Sequence, residues 1–345
     1  MARLDLPALT QWITAAAMAQ PHDVAAAICA RTGVSRVTAK RTLKRLVDLN
    51  WLASTGSTRK PRYEPGLLRQ VVRIYTLDGP AEDRVWSRDF APCFKLPHAV
   101  QRMVQHALTE LINNAIDHSG GRHVTVSLRQ TAAHAQLLVS DDGRGVFDRI
   151  AETFSIASPQ LAMLELSKGK LTSQPQRHSG QGLFFASRLA DVFDLHANEA
   201  AYQRCSWDAR GWRPQHRTLK QTGTSVYASF ALDTARTLDA MRQAHSVDGR
   251  GMAFERTVVP LRLITSDVVG LESRAQARRA GSRLSEFCRA EVDFDGVAQV
   301  GHAFADELFR VLKREQPMLE LVPVNMSPAV AAMVDSVRRA EAATH

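Results

Sequence analysis

The sequence predicts a multidomain α/β protein in three parts, and three observations carry that reading. Cationic residues crowd into the first 73 positions, a segment with three helix-like stretches. The middle of the chain places one long amphipathic helix before apolar strands and ordered glycine pairs, the pattern of a mixed sheet with helices on one face. From Thr257 onward, short apolar strands alternate with helices, which argues for a small α/β domain with a largely parallel sheet. The expected boundaries are 1–73, 74–232, a linker at 233–256, and 257–345.

A chain of 345 residues, 45% hydrophobic and 23% charged, has the composition of two or three globular domains with sizeable cores. Cys29, Cys93, Cys205 and Cys288 lack paired metal spacing and read as reduced thiols in a cytoplasm. No apolar run reaches the roughly 18 residues of a membrane span, so the expectation is a cytoplasmic chain with no membrane partner. The Ala-rich stretch at Ala15 to Ala19 follows Thr10, Gln11 and Thr14 and reads as a helix, not a leader.

The net charge of +9 is uneven, because residues 1–73 hold twelve Lys and Arg against four Asp and Glu, leaving +1 for everything after them. That excess looks like a polyanion-binding module. Helices are expected at Leu6 to Met18, Asp23 to Arg31 and Ser35 to Leu49, with Thr32-Gly-Val-Ser35 as the tight turn and N-cap between the last two. On the third, Val37, Ala39, Leu43, Leu46 and Val47 are the expected apolar face, and Arg36, Lys40, Arg41 and Lys44 face elsewhere. Trp51 to Tyr63 reads as a hairpin whose basic tip carries Arg59, Lys60 and Arg62. The segment resembles the winged helix-turn-helix of bacterial regulators, which implies duplex DNA as the partner of these seven cations. A small protein-interaction module with a solvated basic face is the alternative.

In the central part, Val100, Val104, Leu108, Leu111 and Ala115 recur at helical spacing until Gly120-Gly121, so Glu110 and Asn114 share a face. A carboxylate there can deprotonate a water while an amide oxygen one turn later holds a hard cation. Strands follow at His123 to Arg129 and Ala135 to Ser140. Asp141 ends the second, before Gly143 and Gly145. Gly180-Gln181-Gly182-Leu183 opens an apolar helix expected to run to Phe193, where N-terminal amides can face phosphates. Residues 196–222 read as a further hairpin, and Gly223-Thr224 begins the last strand.

These four motifs, over residues 75–232, together resemble the Bergerat-fold (GHKL) ATP-binding domain of sensor histidine kinases, type II topoisomerases, mismatch-repair ATPases and anti-sigma-factor kinases. The resemblance implies Glu110 as general base, Asn114 as magnesium ligand, and Asp141 as acceptor for the adenine amino group. It implies an ATP site of Asn114, Asp117, Asp141, Gly143, Gly145, Gly180, Gln181, Gly182, Leu183 and Thr224, with Thr224 supporting Asp141. Residues 147–179 would be a mobile lid, with Lys168, Lys170 and Arg177 bringing charge to the triphosphate. Asp142 stands at a variable motif position and is left outside the site.

The run Val292 to Phe309 resembles STAS-like domains, among them anti-anti-sigma proteins whose loop carries a phosphorylatable hydroxyl. Here that loop is Val300-Gly301-His302-Ala303. The lack of a hydroxyl suggests a domain that binds a protein partner by contact, with Asp306 and Glu307 expected to meet the cationic lid. The resulting expectation is a transcription-regulating protein that binds Mg2+ and ATP, hydrolyses ATP slowly, and couples nucleotide state to DNA or protein binding. A serine/threonine kinase of the anti-sigma type and a non-catalytic nucleotide-gated scaffold are the alternatives, and a homodimer is compatible with all three.

Overall fold

The computed structural model describes residues 4–57, 59–78, 84–172, 179–208, 211–215, 222–247, 249, 253–265 and 270–342. It divides into two compact units, 1–144 with 190–195 and 221–235, and 145–189 with 196–220 and 236–345. Arg177 of the expected lid lies outside the described residues.

In the first unit, three helices are followed by a hairpin. Helix α1 (Leu6–Ala19) is capped by the Asp5 carboxylate, which accepts from Ala8 N at 3.4 Å. α2 (Val24–Thr32) ends on Gly33 in the left-handed conformation, the position where a glycine costs least. Ser35 then caps α3 (Arg36–Asp48) by accepting from Thr38 N at 3.3 Å. Leu9, Ile13, Val24, Ile28, Ala39, Leu43 and Leu46 fill the core between the three. The antiparallel strands β1 (Leu52–Ser57) and β2 (Lys60–Pro65) pair from Leu52↔Pro65 to Ser57↔Lys60.

The same unit continues into a large, mostly antiparallel sheet. β3 (Arg69–Thr76) pairs with β4 (His123–Gln130), β4 with β5 (His134–Asp141), and β5 with β9 (Thr224–Ala231), beyond which β6 (Val192–Ala197) follows in the sheet. Alternate residues Val124, Val126 and Leu128, Ala135, Leu137 and Val139, and Val226, Ala228 and Phe230 are buried on one face. Helix α4 (His98–His118) packs against β5 and β9 and buries Val100, Met103, Val104, Ala107, Leu108, Leu111, Ile112 and Ala115. Each large side chain in that stripe is worth about 1.5–3 kcal/mol of burial. Leu138, on the opposite face, is 37% exposed.

The second unit holds α5 (Val146–Phe154), α6 (Pro159–Lys168), α7 (Gly182–Leu189), the paired strands β7 (Ala200–Cys205) and β8 (Trp212–Pro214), and α8 (Leu238–Ala244). The hairpin expected over 196–222 is thus present as β7 and β8, with 209–210 and 216–221 outside the described residues. Its C-terminal part is a parallel sheet in the order β10 (Arg256–Pro260), β11 (Arg289–Asp293), β12 (Glu320–Val324). Helices α9 (Arg274–Gly281), α10 (His302–Asp306, extended through a wide turn at Glu307–Val311) and α11 (Pro328–Ala342) complete it. Phe184, Phe185, Phe254 and Phe287 form an aromatic cluster around His245, whose imidazole burial pushes down to about 4.

Two expectations are corrected. The helix expected from Leu183 to Phe193 stops at Leu189, because Asp191 turns toward β9: its N–H donates to Ser229 O at 2.7 Å, and its carboxylate accepts from Ala231 N at 2.6 Å. The expected mobile lid contains two helices, and α6 is anchored. Lys168 is fully buried, 2.7 Å from Glu165, and donates to Arg279 O and Ser282 O at 3.3 and 2.9 Å. Arg283 closes the network on Glu165 at 3.2 Å and on Gly169 O at 3.0 Å. Burial pulls the Lys168 ammonium below the usual lysine range and Glu165 opposes that shift.

Removing one partner of a buried pair strands the other charge, at a cost of about 3–5 kcal/mol, whereas replacing both with apolar groups of similar volume is far milder. Glu165→Ala is therefore expected to lower the urea midpoint of unfolding strongly, and the double variant Glu165→Leu with Lys168→Met to recover most of the loss. Equal midpoints for the single and double variants would show that the buried charge does not dominate this contact.

Candidate functional site

Helix α4 presents a polar edge along its otherwise apolar length. Glu110, Asn113, Asn114 and Asp117 recur at three- and four-residue steps and are all half-buried, while the residues between them face the sheet. Glu110 lies 3.8 Å from His106 Nδ1, one turn earlier, with the Glu110 side chain 35% exposed. A carboxylate so placed keeps contact with solvent, and His106 is its neighbour one turn back along the helix.

Asp141 stands at the end of β5 and is 6% exposed. Its Oδ1 accepts from Gly143 N at 2.9 Å and Thr224 N at 3.1 Å. Both bonds go to one oxygen, so Oδ2 is committed to neither. Burial raises the carboxyl above the usual aspartate range, and the two amides oppose the shift by stabilising the charged form. Thr224 therefore supports Asp141 through its backbone. The bonds require close approach of the ends of β5, β9 and helix α4: a Cβ on Gly223, at φ +95°, would lie 2.2 Å from Asp141 O, and one on Gly143 would lie 2.3 Å from Ser119 O. Gly143 is thus set by the end of α4, and Ser119 and Gly223 belong to the architecture of the site.

Asp142 does different work. It accepts from the backbone of His123 at 2.9 Å and of Arg122 at 2.7 Å, and these bonds with the His123 ring hold its carboxyl down at about 2. It fixes the turn between α4 and β4 to the end of β5.

The remaining expected nucleotide residues lie in the second unit. Gly145 has φ +87° and meets Asn198, whose amide donates to Asp148 at 2.5 Å. Gly180, at φ +64°, packs on the Leu171 backbone, and Gln181 precedes Gly182 and Leu183 in the first turn of α7. The cation role expected of the lid does not hold for Lys168, which is buried as described. Lys170 donates to Glu286 O and lies 4.5 Å from the Phe287 ring centroid. Likewise Asp306 pairs with Arg310 at 2.5 Å, and Glu307 with Arg278 at 2.6 Å, so both carboxylates are neutralised inside the C-terminal part and do not meet the lid lysines.

At the N-terminal end, Arg36, Lys40, Arg41 and Lys44 are exposed along α3, and Arg59 and Lys60 at the hairpin tip. Arg62 is exposed but paired with Glu64 at 3.1 Å. Val37, expected on the apolar face of α3, is instead 78% exposed.

Residues 99–234 match the family described as histidine kinase-, DNA gyrase B- and HSP90-like ATPase. Residues 282–331 match a STAS-like domain of unknown function. No curated protein matches the chain significantly. The first match covers α4 with its Glu110 and Asn114, the Asp141 strand end and β9, so the polar geometry described above lies inside the region similar to that family. The second covers β11, the loop before α10 and β12. Among the described residues no helix is long and apolar enough to cross a membrane.

A carboxylate accepts a hydrogen bond more strongly ionised than protonated, so binding through a buried one is sensitive to acid. Because burial raises the Asp141 pKa, nucleotide affinity is expected to fall as pH drops through a range above that of an ordinary aspartate. Asp141→Asn should bind weakly at every pH and lose this dependence. Titrating a fluorescent ATP analogue from neutral to acid pH checks it, and a wild-type curve parallel to that of Asp141→Asn would remove Asp141 from the adenine contact.

Proposed function

We propose that the chain is a nucleotide-dependent regulator: its ATPase domain binds and slowly hydrolyses ATP, and its N-terminal helices and hairpin hold duplex DNA. The carrying observation is Asp141, a nearly buried carboxylate with one oxygen fixed by two backbone amides and the other left outside those bonds. That arrangement suits an acceptor for an exocyclic amino group in a pocket that excludes water.

Glu110 acts as general base, holding a water and taking its proton from a position that keeps contact with solvent. Asn114 follows on the same helical edge as the oxygen ligand for the cation. A single side-chain oxygen beside the substrate phosphates is a common way to hold magnesium. When bound, magnesium neutralises charge on the phosphates. The glycines Gly143, Gly145, Gly180 and Gly182, with Asp117, Gln181 and Leu183, keep the nucleotide-binding role the family resemblance implies. Hydrolysis is favoured over phosphotransfer to the chain's own STAS-like domain, because the loop before α10 offers Val300, Gly301, His302 and Ala303, none with a hydroxyl.

The N-terminal segment is read as a winged helix. Its support is the order of three helices and a hairpin, with the exposed cations Arg36, Lys40, Arg41 and Lys44 on one element and Arg59, Lys60 and Arg62 on the other.

Glu110→Ala is expected to retain ATP affinity while turnover falls about 10²- to 10⁴-fold, the usual loss with a general base. Asn114→Ala should weaken magnesium-dependent binding itself. Steady-state phosphate release and calorimetric binding separate the two, and unchanged turnover in Glu110→Ala would rule it out as the base.

A further inference from the structure

We infer that Val37 is a sequence-reading contact of α3, seating its methyl groups against a thymine 5-methyl group in the DNA major groove. This rests on the DNA-binding reading above and goes beyond it by assigning one base and one chemical group.

Three observations lead there. Val37 is 78% exposed on a helix whose Leu43 and Leu46 are 1% and 0% exposed and whose Val47 packs half-buried against the same core. Its position is the second reason: Val37, Lys40, Arg41 and Lys44 follow at offsets of three, four and seven, one stripe on the side of the helix away from Ala39, Leu43 and Leu46. None of these three cations takes part in an ion pair among the described residues, so the stripe is a cationic surface with one apolar element in it. Third, Val37 lies in the first helical turn, immediately after the Ser35 cap, where the Ser35 side chain accepts from Thr38 N at 3.3 Å and sits 3.0 Å from the Thr38 hydroxyl. The cap fixes the start of the helix and engages the Thr38 hydroxyl locally, leaving Arg36 and Val37 as the outward side chains of that turn.

The residues of a recognition helix that reach base edges come from its N-terminal turn, while cations further along neutralise phosphates. In the major groove the group that an apolar side chain recognises is the thymine methyl, which no other base pair presents at that position. A protein partner for this stripe would have to be acidic around an apolar centre. The hairpin cations Arg59 and Lys60, in the same unit, extend the basic surface in the manner of a polyanion site.

The test uses the full chain. A randomised duplex library yields the preferred sequence at low salt, and each thymine in it is then replaced singly by deoxyuridine, which removes only the methyl group. For the wild type, one thymine per bound protomer should be sensitive, with affinity falling about fourfold, the value of one buried methyl-sized group. Val37→Ala, an exposed substitution that leaves the core untouched, should bind the parent duplex about as weakly as the wild type binds the substituted one and be insensitive there. Lys60→Ala should weaken all duplexes alike and keep the sensitivity. Full wild-type tolerance of deoxyuridine at every position, or undiminished sensitivity in Val37→Ala, overturns the inference while leaving DNA binding in place. Loss of self-association in Val37→Ala with unaltered base preference assigns the residue to a protein interface and also overturns it. Absence of binding to any duplex at low salt overturns the DNA reading together with it.

Discussion

The buried ammonium group of Lys168 ties several elements of the second unit together. An ion of that size leaves water only if a counter-charge and further hydrogen bonds replace its hydration. Glu165 supplies the charge from the same helix, the Arg279 and Ser282 carbonyls supply acceptors, and Arg283 balances Glu165. Thr257 adds a bond from its hydroxyl to Lys168 O at 2.7 Å. Helix α6 is consequently tied to β10, to the end of α9 and to the turn after it. The segment between the Gly145 and Gly180 motifs, expected to move as a lid, is thus built together with the STAS-like part of the chain.

That constraint changes how nucleotide state can be transmitted. A solvated lid closing through loose charge attraction would need free lysines on one side and free carboxylates on the other. Lys168, Lys170, Asp306 and Glu307 are instead each engaged locally. Transmission through α6 would be mechanical: any displacement of that helix must carry the Arg279 to Glu286 segment with it or break the Lys168 hydrogen bonds to Arg279 O and Ser282 O and the Glu165–Arg283 ion pair. At Asp141 a smaller balance holds, since burial raises the carboxyl while two amides stabilise its charge, and the close packing of Gly143 and Gly223 keeps those amides in reach.

Much of this was legible in the chain because it is local. The repeat from Val100 to Ala115 gives α4 its register and hence the shared edge of Glu110 and Asn114, and the alternation in His123 to Gln130 gives β4. The three N-terminal helices end within a residue or so of their expected limits because Asp5, Ser35 and Gly33 cap them. The failures involve long range. Asp191 ends α7 early through partners on β9 some forty residues away, which no pattern in Leu189 to Phe193 announces. The Glu165 and Lys168 spacing is visible in sequence, but the carbonyls that make burial tolerable lie more than a hundred residues downstream. Val37 is a different case: residue type suggested the core, whereas its angle around the helix relative to Ala39, Leu43 and Leu46 already placed it outside.

Because α6 shares a buried network with Arg279, Ser282 and Arg283, a nucleotide-driven change in that helix is expected to extend to the segment that carries them. Hydrogen exchange of the full chain with and without a non-hydrolysable ATP analogue and magnesium tests it most directly. The account predicts that protection gained in 159–172 is accompanied by protection in 274–287, and that Glu165→Leu with Lys168→Met keeps the first change and loses the second. Protection confined to 159–172 in the unaltered chain would contradict it.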